Sequence, residues 1–307
     1  MTQQVIGAPP TVSEDRAGRV SLDHVAPRTG ARPGRATRLL AVLGRHAFLL
    51  LFALFAVLPG VFTILASFKN LFDFYNDPLG LPTVWHWENY VQVWTEARLP
   101  QAATNTLAVV LLSVPLILAC SCCAAYGISR FVFRGSNVLY YLFLLGMIIP
   151  AQLTILPLVI EERNLGLINS YGGLILPYIG IHMPFATFVL ASFSRTLPGE
   201  LHDAALIDGA NEWQAFQHIM LPLLRPAVAT VAILNSVSIW NDFFFPLIVS
   251  PKLPMLQVAV YNLVGVYSTN WGQIFAGVVL SALPLVLAYV LLTKQFIAGL
   301  SAGAIKG

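Results

Sequence analysis

The chain has 307 residues, of which 57% are hydrophobic and 10% charged, with a net charge of +3 at neutral pH. Soluble domains carry about 25% charged residues, so this composition excludes a soluble globular protein and places the chain in a membrane. The positive excess is not a nucleic-acid footprint either, because the arginines cluster in one terminal segment without a recognised binding motif.

Residues 1–46 are rich in Arg, Pro and Gly, with few large apolar residues before Leu39, and are expected to remain a disordered cytoplasmic tail. Their arginines read either as a topology signal or as a site for anionic lipid. Six apolar runs follow, at 47–68, 106–128, 138–160, 172–193, 226–249 and 274–293. Each suffices to cross a hydrocarbon core of about 30 Å, which takes a helix of roughly 20 residues. A membrane β-barrel would show segments of about ten residues with alternating polarity. The expected fold is therefore an all-α membrane protein, with six transmembrane helices over 47–293 and a cytoplasmic tail over 294–307. The first run is too long for a signal-peptide core and is expected to be retained.

Between the first two runs, Lys69 to Asn105 contains Pro78, Gly80, Pro82 and the aromatic residues Trp85, Trp87, Tyr90 and Trp94. This is the composition of an extracytoplasmic loop with a short interfacial helix. Its aromatic residues form either a belt at headgroup level or a dock for a soluble partner. Cys120, Cys122 and Cys123 lie within the second run with no His beside them, and read as packing residues, not metal ligands. Every run contains proline: Pro59, Pro115, Pro150 and Pro157, Pro177 and Pro184, Pro246, and Pro284. Each frees a carbonyl and kinks its helix, which is tolerable where neighbours or a wet path satisfy it. After the third run, Glu161-Glu162-Arg163 reads as a solvated loop edge, and His182 is a lone histidine in the fourth.

Residues 196–224 interrupt the apolar pattern with Glu200-Leu-His-Asp-Ala-Ala-Leu-Ile-Asp-Gly-Ala-Asn-Glu-Trp-Gln-Ala-Phe-Gln-His-Ile-Met-Leu-Pro222. Pro198 suits a first helical position, and Glu200 and Asp203 place acids where the helix dipole favours them. Gly209 can adopt the left-handed conformation that ends such a helix after about eleven residues. Asn211 with Gln214 resembles a capping box, opening a second short helix that Leu221-Pro222 stops. Ala204 and Ala205 leave a low-relief face that another protein's backbone can approach.

Trp240, Asn241 and Asp242 lie near the outer end of the fifth run. A carboxylate exposed to lipid at mid-depth costs about 2.5 to 3.5 kcal/mol, so Asp242 is expected to face the bundle or a wet cavity. With Gln152 and Thr154 of the third run, these residues form either a candidate substrate path suited to sugar rings or a network that fixes helix packing. Thirteen of the seventeen Lys and Arg residues fall on the side of the termini, against Lys69, Arg98, Arg163 and Lys252 on the other. The positive-inside bias makes both termini cytoplasmic.

The acid-Ala-Ala of Asp203, Ala204 and Ala205, the glycine at 209 and the Ile219-x-Leu221-Pro222 ending together resemble the signature cytoplasmic loop of permease subunits in ABC importers. The finer pattern is similar to the smaller permease subunit of carbohydrate importers of the maltose/maltodextrin type. Pro82 to Tyr90, Met147 to Pro157, Leu165 to Tyr171, Ala205 to Ala210, Trp240 to Phe243 and Gly299 to Gly307 match in order. Asp203 stands where that family usually has Glu, and His202 and Leu206 occupy positions often charged. The resemblance implies a cell-membrane complex of this subunit with a second permease subunit, an ATPase dimer and an extracytoplasmic solute-binding protein. It places ATPase docking on Glu200, Asp203, Ala204, Ala205, Asp208 and Gly209, and an ATPase-interface tail on Gly303, Ala304, Lys306 and Gly307.

The chain has no Gly-Lys pair and hence no phosphate-cradling loop, so ATP and Mg are expected on the partner ATPase, with no catalytic, cofactor or metal residue here. Other readings are the same permease role for a glycerol phosphodiester or polyamine, an intramembrane enzyme, or a secondary carrier. An enzyme would need paired acids or metal ligands within the runs. A carrier would need coupling charges in several of them.

Overall fold

The computed structural model describes residues 35–304 apart from 132 and 265–269, and side chains from 42 to 291. The described chain is helical, without strands. The first helix, α1 (Arg35–Ala66), begins upstream of the expected run, where Ala36, Leu39 and Leu40 favour a helix. Its large side chains from Val42 to Val61 are exposed, whereas Phe62 is half-buried against the Phe275 ring.

Two short helices, α2 (Leu71–Asn76) and α3 (Glu88–Thr95), make up the expected loop. Asn70 caps α2 by accepting from the Asp73 amide at 2.7 Å. Lys69 is buried, and its Nζ donates to the Asp77 and Pro78 carbonyls, which satisfies the charge without a carboxylate. Phe68 packs against Trp85 and Trp87 with centroids 5.0 and 4.6 Å apart, while both indoles keep an exposed edge.

The core helix is α4 (Leu99–Arg130), which buries Cys122 and exposes Cys120 and Cys123. Next come α5 (Ser136–Ile148), a 3₁₀ turn at Ala151–Thr154 and α6 (Ile155–Asn164), with an 88° bend between the two limbs. The expected run at 138–160 is thus interrupted. Pro150 lacks the amide that would continue the ladder and forces Ile149 into an extended conformation. The reading of Glu161-Glu162-Arg163 as a solvated edge needs correcting at Glu162, which is only 3% exposed. The first turn of the following helix closes over it: a β-carbon on Gly173 would lie 3.1 Å from Glu162 Oε2.

That helix, α7 (Tyr171–Ser194), is capped by Ser170, which accepts from the Gly173 amide at 3.1 Å. Two short helices follow, α8 (Glu200–Ile207) and α9 (Glu212–Ala215). Leu221-Pro222 does not stop the second of them as expected: through a π-helical turn at Phe216–Met220, α9 runs on into α10 (Leu221–Asn241), with Pro222 in the first turn of α10, a position proline tolerates. The expected fifth run, 226–249, divides at Asp242. Its Oδ1 accepts from the Phe244 and Phe245 amides at 3.1 and 3.5 Å and so opens α11 (Phe244–Val249). The chain then forms α12 (Leu256–Tyr261) and α13 (Trp271–Ala304). Among the described residues, five helices are long and apolar enough to cross a membrane, or six if the bent α5–α6 pair is one span.

The most extensive helix pair is α4 with α7. Asn105 accepts from Tyr171 Oη at 2.7 Å near their starts, and Ser129 bonds Ser194 at 2.7 Å near their ends, so the two helices run parallel. Asn105 also donates to the Pro254 carbonyl at 2.8 Å, and Thr106 Oγ1 accepts from the Leu256 amide at 2.9 Å, which fixes α12 on the same end of α4.

The start of α13 sits against the first loop. A β-carbon on Gly272 would lie 2.0 Å from the Lys69 carbonyl oxygen and 2.5 Å from Asn89 Nδ2. Backbone cannot yield there without breaking the 3.0 Å bond from Asn89 to that carbonyl. We therefore expect Gly272→Ala to lower the thermal midpoint of the purified protein by several degrees, on the order of 2–4 °C per kcal/mol lost. Gly277→Ala, which meets only the tip of Leu263 at 2.8 Å, should cost less. Equal midpoints for wild type and Gly272→Ala in a detergent melting assay would refute this packing.

Candidate functional site

Two regions carry polar chemistry: the loop between α7 and α10, and a pair of cavities where the broken helices meet. In the loop, α8 is shorter than expected, eight residues beginning at Glu200, because Gly199 already serves as its N-cap. Gly209 ends it at φ +88°, with Ala210 N bonded to the Ala205 carbonyl at 3.0 Å and Gly209 N to that of Leu206 at 3.1 Å. This pair of bonds is the Schellman closure that a left-handed glycine permits. The capping box is present in both directions, Gln214 N to Asn211 Oδ1 and Asn211 N to Gln214 Oε1, each at 2.9 Å.

This closure sets the faces of α8. Ala205 turns inward, 5% exposed, whereas Glu200, Asp203, Ala204 and Asp208 point outward. Among them Ile207 is 85% exposed, and Leu201, Leu206 and Trp213 also lie open. An apolar patch on an otherwise charged loop marks a contact surface. Beside it, Asp208, Gly209, Gln214 and His218 line a recess of about 360 Å³. Arg130, at the end of α4, supports the loop from behind by donating to the Ser194 and Leu197 carbonyls at 2.8 and 3.2 Å. Of the expected tail residues, Gly303 and Ala304 lie in the last turn of α13, and Lys306 and Gly307 lie outside the described residues.

The second region forms where α7 meets two helix breaks. Gln152 from the 3₁₀ turn, Tyr178 and His182 from α7, and Ser238, Asp242 and Phe244 from the α10–α11 break line a cavity of about 190 Å³. A larger, mainly apolar cavity of about 520 Å³ shares Ala151 and Ile181 with it and includes Thr154. Gln152, Thr154 and Asp242 are therefore neighbours across one wall. Trp240 and Asn241 do not join them: Trp240 is buried and donates to the Ser281 carbonyl at 3.1 Å, and Asn241 donates to the Val237 carbonyl at 2.9 Å.

Asp242 is saturated by protein. Its Oδ2 accepts from Tyr178 Oη at 2.8 Å, while Oδ1 holds the start of α11. Sequence reasoning missed Tyr178 and His182, which sit one helical turn apart on α7 with rings 5.9 Å apart. The i, i+4 spacing was visible, but nothing in an apolar run says which side of it meets a cavity. Among the described residues no group of His, Cys, Asp or Glu is placed to hold a metal ion.

Comparison with known proteins gives the same reading of the fold. Residues 116–301 match the family described as binding-protein-dependent transport system inner membrane component. The chain is 36% identical over 265 residues to the diacetylchitobiose uptake system permease protein NgcG of Streptomyces coelicolor, covering 85% of this chain and 88% of that one. It is 32% identical to the arabinooligosaccharides transport system permease protein AraQ of Bacillus subtilis, covering 85% and 94%. A chain of a bacterial ABC transporter involved in the import of the acidic polysaccharide alginate superposes with a TM-score of 0.72 at 23% identity, over 86% of this chain and 98% of that one. With a family match over more than half its length and full-length relatives above 30% identity, this chain belongs to the binding-protein-dependent inner-membrane permeases of ABC importers, transport components and not enzymes.

Proposed function

We propose that the chain forms half of the translocation path for a sugar or oligosaccharide and couples it, through residues 196–224, to a separate ATPase that binds ATP and Mg. The observation that carries this reading is the exposure of Leu201, Leu206 and Ile207 on a helix stopped by left-handed Gly209, with Trp213 exposed on the next helix. Exposed apolar side chains of this size are of use when a partner covers them. Glu200, Asp203 and Asp208 beside them supply the charged rim of the dock. A second permease subunit forms the other half of the path, and an extracytoplasmic solute-binding protein delivers cargo. On this reading the bent α5–α6 pair is one span, which makes six and puts both termini on the same side, the cytoplasmic one by the Lys and Arg bias.

The cargo assignment rests on relatives named for diacetylchitobiose and arabinooligosaccharides and on the lining of the smaller cavity. Aromatic rings from Tyr178 and Phe244 offer apolar faces, and Gln152, His182 and Ser238 offer hydrogen bonds to hydroxyl groups. Asp242 acts behind them as the residue that holds α7 to α11.

Four measurements test this reading. A reporter fused after Gly307 should be active only in the cytoplasm; activity outside would overturn the topology. Gly209→Val should leave the subunit in the membrane but lower ATP-driven uptake at least tenfold, because a β-branched residue resists positive φ. Normal uptake by that variant would show that the loop is no shape-dependent coupler. Gln152→Ala and His182→Ala should raise the sugar concentration for half-maximal uptake several-fold in an intact complex. Asp242→Ala should instead deplete the assembled complex, and Asp242→Asn, which keeps an acceptor, should preserve it. Unchanged saturation in both cavity variants would remove this cavity from the path.

A further inference from the structure

Behind the docking face, three polar side chains from three helices close on one another. His202 of α8 is 8% exposed and Tyr126 of α4 is 6% exposed, and both meet Glu212, the first residue of α9. Tyr126 Oη donates to Glu212 Oε2 at 2.6 Å. His202 Nε2 lies 3.0 Å from Tyr126 Oη and 3.0 Å from Glu212 Oε2. Tyrosine has one proton, and it goes to the carboxylate. Both remaining neighbours of Nε2 are therefore acceptors, so Nε2 carries the hydrogen.

The cluster is walled by Phe216 of the π-helical turn, whose ring centroid is 5.0 Å from that of Tyr126, and by the imidazole of His202 at 6.0 Å. It is a polar knot, buried at His202 and Tyr126 and open to water at Glu212, through which α8 touches both α4 and the root of the segment that becomes α10.

Resting on the coupling reading above, we infer that His202, Tyr126 and Glu212 form a latch that makes α8, α4 and the α9–α10 segment move as one body. His202 is its positioning residue. A push on the docking face then displaces the inner end of α4 directly, without waiting for the chain between Ser194 and Glu200 to tighten. Hydrogen bonds suit this use because they are directional, and Tyr126 and His202, both buried, would be left unsatisfied without them.

The test uses the full complex with its ATPase and binding protein in lipid vesicles, measuring sugar uptake and ATP hydrolysis on the same preparation. His202→Ala and Tyr126→Phe should each assemble and hydrolyse ATP within twofold of wild type, yet import at least fivefold less sugar per ATP. The double variant should lose no more than the worse single variant, since both break one unit. His202→Gln, whose amide donates from a similar reach, should recover uptake per ATP to within twofold. Wild-type uptake per ATP in both single variants would overturn the latch, as would losses that multiply in the double variant. A complex that fails to assemble in both would also overturn it, by making the cluster a folding element only. Gly209→Val separates this from the parent reading. If it blocks uptake while His202→Ala and Tyr126→Phe do not, only the latch falls; if all three import normally, the coupling reading falls with it.

Discussion

Hydrocarbon gives helices no hydrophobic reason to associate, so everything in this molecule depends on how closely α4 and α7 approach. Their buried faces carry small side chains: Ala102, Ser113, Ser121 and Ala125 on α4, and Ala186, Thr187, Ala191 and Ser194 on α7. Small residues let backbones come near enough for dispersion to act along the full length of a pair, the usual device where solvent is as apolar as leucine. Asn105 with Tyr171 at one end and Ser129 with Ser194 at the other pin the register, so the pair cannot slide by a turn. α10 packs on both members and α5 packs on α7.

A rigid seam of this kind joins the two functional regions physically. The smaller cavity takes Tyr178 and His182 from α7, and the loop between α7 and α10 takes its support from Tyr126 and Arg130 of α4. On the coupling proposed above, a displacement of that loop would reach the cavity wall through this seam. The helical ladder is interrupted elsewhere, at Ile149–Pro150 and at Asp242, where the backbone is extended. The second break is tied to the seam by the hydrogen bond from Tyr178 to Asp242.

Much of this was legible in the residues. Continuous apolar runs declared helices, because a membrane permits few other ways to satisfy a backbone. The loop's stop and capping box followed from Gly209, Asn211 and Gln214, whose local chemistry does not depend on tertiary contacts, while its first helix began two residues past Pro198. What was not legible depended on partners distant in sequence. The prolines at 150 and 157 announced a kink but not an 88° bend. Glu162 looked solvated until the first turn of α7 closed over it. Trp240 looked available until Ser281 of α13 took its N–H, and His202 stood out only as a departure from a pattern until Tyr126 arrived beside it.

The interrupted segment has a consequence for biogenesis. Its first limb, α5, has thirteen residues, and α6 has ten, including the Glu161-Glu162-Arg163 cluster near its end. Neither limb is long enough for the bilayer to hold by itself, since a stable crossing takes roughly 20 apolar residues. The first limb is held by α7, through contacts such as Tyr140 with Ser192 and the stacking of Arg195 on the Tyr140 ring, and the second packs against α11. Both sets of contacts are made by segments that leave the ribosome after the two limbs, so the stable seat of this segment in a bilayer depends on chain made later than itself.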